Sequence, residues 1–161
     1  MTLLETLTRP GYFKLFLLQK LPLAWITGLR VKTLSEKEAA ISVQYSYWTK
    51  NPFRSIYFAC LAMAGELASG LLSTVNIEKS GHSIALLVVG MQAQFTKKAV
   101  GVITFSCQQG EEIQSVIQKA IETGEGQTIH ATSIGTDEVG DEVARFHITW
   151  SYKVRATKPK A

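Results

Sequence analysis

The sequence predicts an α+β fold in which a curved antiparallel sheet wraps one long helix. Three observations lead there. Stretches of alternating apolar residues come in successive pairs, at 29–48, 82–110 and 127–154, and pairs of neighbouring strands call for an antiparallel sheet. The run from about Ser55 to about Thr74 has helical spacing and one internal charge, Glu66. A helix that apolar needs cover.

Taken in order, the first element lies in "YFKLFLLQKLPLAWITG". Lys14, Gln19, Lys20 and Pro22 interrupt it, well short of the roughly 20 apolar residues of a membrane span. It has neither the basic n-region nor the small-residue cleavage site of a signal peptide. It reads as a short amphipathic helix ending before Pro22 and covering part of the core. The alternative is a helix lying on a membrane surface; stable insertion is not expected.

Next come two strands in "LRVKTLSEKEAAISVQYSYW", with a hairpin at Ser35 to Glu38 and with Ile41, Val43, Tyr45 and Tyr47 alternating in the second. Asn51-Pro52 signals a turn before the long helix. Two long strands are then expected to turn at Lys97-Lys98. Ile113, Val116, Ile117, Ala120 and Ile121 mark a second, shorter helix, with acids in its first turn and Gly124 after its end. Two closing strands follow. In the last, Phe146, Ile148, Trp150, Tyr152 and Val154 share one face, and Arg145, His147, Thr149, Ser151 and Lys153 the other.

At 161 residues the chain is expected to form one domain. It divides into an N-terminal helical segment at 1–28, a core at about 29–155 and a basic tail at 156–161. The net charge of +4 is scattered apart from Lys97-Lys98 and that tail. No basic stripe is interleaved with aromatics, which argues against nucleic acid. Cys60 and Cys107 make no disulfide framework and lack metal-ligand spacing, so reduced, buried thiols in a cytoplasmic protein are expected. His82, His130 and His147 have no ligand partner at a recognisable spacing. Neither a metal nor a cofactor is implied.

At about 100° per residue, Tyr57, Cys60, Leu61, Ala64, Ala68, Leu71, Leu72 and Val75 form a broad apolar stripe suited to the sheet. Glu66 shares the opposite face with Ser55, Ala59, Ala62, Met63, Ser69, Gly70 and Ser73. A solvated face would carry Lys, Arg and Gln. Small residues there, with Gly65 and Gly70 inside the helix, suggest the close approach of another backbone, from a symmetry-related helix or a ligand. A carboxylate at such an interface would be partly desolvated and able to act as a base.

The order "LPLAWITGLRVKTLSEKEAAISVQYSYWTKNPFRSIYFACLAMAGELASG", followed by "FTKKAVGVITFSC", resembles the hotdog-fold thioesterase superfamily. It is similar in particular to an uncharacterised branch with Tyr-Phe at the start of the central helix. The resemblance covers about Leu21 to Tyr152 and implies a sheet wrapped round a helix, with subunits paired so that acyl-thioester sites lie between them. Many relatives open the helix with His-Gly-Gly, nine residues ahead of a catalytic carboxylate. Here Tyr57-Phe58-Ala59 stand in that place and Glu66 falls on the carboxylate, while Asn51 falls on a loop asparagine of the family.

The resemblance thus implies Glu66, Asn51 and Tyr57 as catalytic residues. Phe58, Ala59, Met63, Lys97 and Lys98 would contact substrate, the lysines through the phosphates of a coenzyme A ester. Thioester hydrolysis needs a base or a carboxylate nucleophile and donors for an oxyanion. A helix N-terminus supplies such donors. The implied activity is hydrolysis of acyl-coenzyme A or another acyl thioester by a homodimer or dimer of dimers. Loss of His-Gly-Gly leaves two alternatives: a non-catalytic acyl- or ligand-binding protein, and a structural dimer with Glu66 hydrogen-bonded across its interface.

Overall fold

The computed structural model describes residues 2–155; the basic tail at 156–161 lies outside the described residues. Three short helices come first: α1 (Leu3–Leu7), α2 (Pro10–Lys20) and α3 (Pro22–Ile26). The hairpin β1 (Arg30–Leu34) and β2 (Ala39–Gln44) leads to the long helix α4 (Phe58–Ser80). Then follow β3 (Ile84–Phe95), β4 (Val102–Cys107), α5 (Gly110–Thr123), β5 (Gln127–Thr136) and β6 (Glu142–Val154). The strands form one six-stranded sheet in the order β1-β2-β4-β5-β6-β3, with every pairing antiparallel. It is the hotdog arrangement, with α4 packed along the inner face of the sheet.

α4 is apolar and long enough to cross a membrane, but 67% of its most apolar window is buried inside the fold. The stripe from Cys60 to Val75 packs on the sheet as its spacing predicts, apart from Tyr57, which is exposed. On β6, Phe146, Ile148, Trp150 and Tyr152 point inward and are buried, and α5 buries Ile113, Ile117 and Ala120. Both cysteines are free and buried, and burial pushes both thiols up from their ordinary pKa.

Several boundaries differ from the expectation. The helix does not begin at Ser55: Ile56 bridges Lys50 and Tyr57 is extended, because Ile56 N–H donates to Ala99 O and Tyr57 N–H to Thr49 O. At the other end α4 runs past Thr74 to Ser80. Asn76 stays helical because its amide donates to Glu36 O and Leu72 O and accepts from Gln114 Nε2. Gly81, at φ 69°, then ends the helix in the left-handed region. β2 stops at Gln44 instead of reaching Tyr47. Thr49 Oγ1 donates to Gln44 O and accepts from Ser46 N–H, closing a turn that throws Tyr47 and Trp48 into the open.

The largest correction concerns β3 and β4, which do not form a hairpin at Lys97-Lys98. β3 pairs with β6 at the sheet edge, while β4 lies between β2 and β5. Residues 96–101 therefore cross from one part of the sheet to another.

Part of the small face of α4 packs against the chain's own β6, while Ala59, Ala62, Met63 and Glu66 stay partly exposed. Trp150 Nε1 donates to Ser69 Oγ at 2.9 Å, and Ser73 Oγ lies 2.6 Å from Tyr152 Oη. A Cβ on Gly65 would stand 2.8 Å from Phe146 Cδ2. Bulky residues on the strand require small ones on the helix.

Candidate active site

The α2–α3 junction makes one wall of the site. The residue before a proline is kept out of the helical region, so α2 ends at Lys20 and Leu21 takes φ −140°, ψ 65°. Pro22 then starts α3 at a position where a missing N–H costs nothing. This kink brings Lys20, Leu21, Pro22, Leu23 and Ala24 beside Met63, Glu66 and Leu67 of α4, bounding an open pocket of about 280 Å³.

Glu66 is the one carboxylate lining that pocket among the described residues. It is half-buried, and its side chain has no hydrogen bond or ion pair among the described residues. Desolvation by its apolar surroundings raises its pKa above the ordinary glutamate value. One turn on, a Cβ at Gly70 would stand 3.3 Å from Glu66 Oε1 and 3.3 Å from the Trp150 ring. Glycine there leaves room for both. Ser69 Oγ, besides accepting from Trp150, donates to Glu66 O at 3.1 Å.

The helix opening is a separate cluster. Asn51 Oδ1 accepts from Phe53 N–H and Ser55 N–H, and its Nδ2 donates to Ser55 Oγ at 3.0 Å. The side chain is engaged within its own loop, where Arg54 adopts φ 60°. Tyr57 is the N-cap of α4 without a side-chain cap bond, and its ring meets Phe58 edge-on at 5.0 Å. Both rings are exposed. The amides of Phe58 and Ala59 open the helix and have no acceptor among the described residues.

These two clusters do not meet within one chain. Eight residues separate Phe58 from Glu66, which is about 12 Å along a helix at 1.5 Å per residue, too far for both to touch one thioester. Of the expected site residues, only Glu66 and Met63 line the pocket, while Tyr57, Phe58 and Ala59 gather at the helix opening. Lys97 binds Asp137 and Asp141 at 2.6 and 2.7 Å, and Lys98 is exposed; neither lines the pocket. The pocket wall at 20–24 was missed as a functional segment. Its signal was Leu21-Pro22, which fixes a kink but not what lies beneath it.

A family model described as Domain of unknown function (DUF4442) matches residues 10–152. The chain belongs to the DUF4442 family. The match takes in α2 and α3, so the segment that walls the Glu66 pocket is part of the DUF4442 domain. No curated protein matches the chain.

Solved structures share the fold of this DUF4442 chain. A Pseudomonas aeruginosa protein of unknown function, a probable thioesterase, is 22% identical at a TM-score of 0.78, covering 91% of this chain and 97% of its own. A protein of unknown function from Chlorobaculum tepidum is 12% identical at 0.76, covering 91% and 97%. A thioesterase family protein from Silicibacter pomeroyi is 15% identical at 0.63, covering 86% and 93%. At these identities the likeness establishes the hotdog fold of the DUF4442 chain.

Proposed function

We propose that the protein hydrolyses an acyl thioester, with acyl-coenzyme A as the first candidate, at a site completed by a second copy of the chain. The observation that carries this reading is Glu66: an unpaired, partly desolvated carboxylate on the wall of an otherwise largely apolar pocket. The acyl chain would lie against Leu21, Leu23, Met63 and Leu67. Glu66, its basicity raised by desolvation, would take a proton from water as the oxygen attacks the carbonyl carbon. The oxyanion would be held by the free amides at Phe58 and Ala59 of the second copy. Collapse breaks the carbon–sulfur bond, and the leaving thiolate takes up a proton. Attack by Glu66 itself, giving an anhydride that water cleaves, uses the same geometry.

The second copy is needed because the helix opening lies too far from Glu66 in its own chain. β3 offers the means. It is twelve residues long and, among the described residues, pairs only with β6 and has no strand on its other edge, with Leu87, Val89, Met91 and Phe95 exposed. Such an edge invites a second strand, giving a homodimer that pairs further into a dimer of dimers. The two free thiols fit the reducing cytoplasm.

The test is thiol release from short, medium, long and aromatic acyl-coenzyme A esters, comparing the natural chain with Glu66→Gln. Turnover is expected to fall by about 10²- to 10⁴-fold in the variant, the usual worth of a positioned base, with oligomeric state unchanged. Absence of turnover by the natural chain across the panel would sink the coenzyme A hydrolase reading. One observation favours the alternative of a non-catalytic acyl-binding protein: exposed Tyr57 and Phe58 rings stand at the helix opening. That reading predicts saturable binding of the ester without release of thiol.

A further inference from the structure

We infer that the outer face of α2 and α3 docks reversibly on an anionic lipid surface. α2 is apolar on two sides. Phe13 and Leu17 enter the core, while Tyr12, Leu15 and Leu18 stand on the opposite side, Leu15 and Leu18 at 49% and 48% exposure. The exposed apolar run continues through Leu21, Leu23 (68%), Trp25 and Ile26. A helix apolar on both sides is ordinarily covered on both, and the described residues cover only one side of α2.

Charge selects the occupant. Between Thr6 and Ser35 the chain carries Arg9, Lys14, Lys20, Arg30 and Lys32 and no acidic residue. None of the five pairs with a carboxylate among the described residues. Arg9, whose guanidinium lies over the exposed Tyr12 ring, and Lys14 flank the apolar side of α2, and a second copy meeting this face about a two-fold axis would bring these cations towards their own equivalents. An anionic lipid surface complements them, at about a fivefold gain in partition per lysine near the surface.

The backbone argues the same way. Unlike the outer edge of β3, the helices satisfy most of their own N–H and C=O groups, so this face offers an apolar surface and diffuse charge with little directional pairing. Exposed leucines near Lys14, with Trp25 and Tyr12 among them, suit the headgroup–acyl boundary, where aromatic residues concentrate. Docking needs only this exposed face. That it also delivers acyl chains to Glu66, through the pocket wall at Lys20 to Ala24, rests on the thioesterase reading above.

The test is sedimentation of the full chain with phosphatidylcholine vesicles, either neutral or rich in phosphatidylglycerol. Binding is expected to the anionic vesicles only, and to weaken as salt is raised. Leu15→Glu or Leu18→Glu, at exposed positions outside the pocket, should lower partition at least about tenfold, and Lys14→Gln about fivefold. Thermal midpoint, oligomeric mass and hydrolysis of a soluble ester should stay unchanged in all three. Failure of the natural chain to sediment with anionic vesicles overturns the inference. So does a fall in oligomeric mass in Leu15→Glu, which would make a second copy the occupant. Because hydrolysis of the soluble ester is read separately, loss of docking and loss of the thioesterase reading remain distinct results.

Discussion

Ser69→Ala tests how α4 is held against the sheet beneath Glu66. Ser69 is fully buried; its Oγ accepts the Trp150 indole N–H at 2.9 Å and donates to Glu66 O at 3.1 Å. Alanine leaves the indole N–H without an acceptor. Trp150 is only 4% exposed, so water has poor access to replace it. An orphaned buried donor costs about 1–3 kcal/mol. The Glu66 carbonyl keeps its ordinary helical partner and adds little. The better helix propensity of alanine returns about 0.5 kcal/mol, leaving a net loss of about 0.5–2.5 kcal/mol. In a chain of this size that lowers Tm by about 1–10 °C.

Urea unfolding at fixed protein concentration, followed by far-UV circular dichroism, measures the loss, with the denaturant slope expected to stay constant. Trp150→Phe removes the donor, so adding Ser69→Ala to it should cost clearly less than in the natural background. A Ser69→Ala loss below about 0.3 kcal/mol, or strict additivity in the double variant, would refute the reasoning, since independent sites add to within about that margin.

Other outcomes follow from the same packing and charges. Gly65→Ala puts a methyl 2.8 Å from Phe146 Cδ2, in a ring stacked edge-on against Phe95 and Phe105 at 5.8 and 5.5 Å. Overpacking of about 1–3 kcal/mol should outweigh the helix-propensity gain of about 1 kcal/mol and lower Tm. For Glu66, the folded pKa is raised. Stability therefore falls as pH rises from the ordinary glutamate value through the raised one, and the penalty persists above it. Glu66→Gln should be the more stable protein at mildly alkaline pH, with the difference vanishing below the ordinary carboxylate range; urea midpoints across pH read this directly. Asn51→Ala should cost about 0.5–1.5 kcal/mol by removing the acceptor of the partly buried Ser55 amide. A fall in turnover without a fall in Tm would instead place Asn51 on the substrate.

Much of the fold was legible because its signals are local. The two-residue period of β6 separates Phe146, Ile148, Trp150 and Tyr152 from Arg145, His147 and Thr149, and burial follows that division. The 3.6-residue period gave the faces of α4 and α5. Glu66 stood out because a lone charge in an apolar helix is visible without coordinates. Errors arose where a distant partner decided the matter. The helix expected to end near Thr74 continues because Glu36 and Gln114 hydrogen-bond the Asn76 side chain. Lys97 looks like a free cation until Asp137 and Asp141 close on it.

The sequence by itself determined the strands and the two main helices, the antiparallel character of the sheet, the helix end before Pro22 and the unusual place of Glu66. Only the tertiary structure decided that β3 pairs with β6, that part of the small face of α4 answers to Trp150 and Tyr152, and that α2 and α3 border the pocket. The physical reason is range. Periodicity and turn chemistry act over a few residues and are written into the order of side chains. Strand partners, close packing and desolvation depend on residues brought together from far apart in the chain.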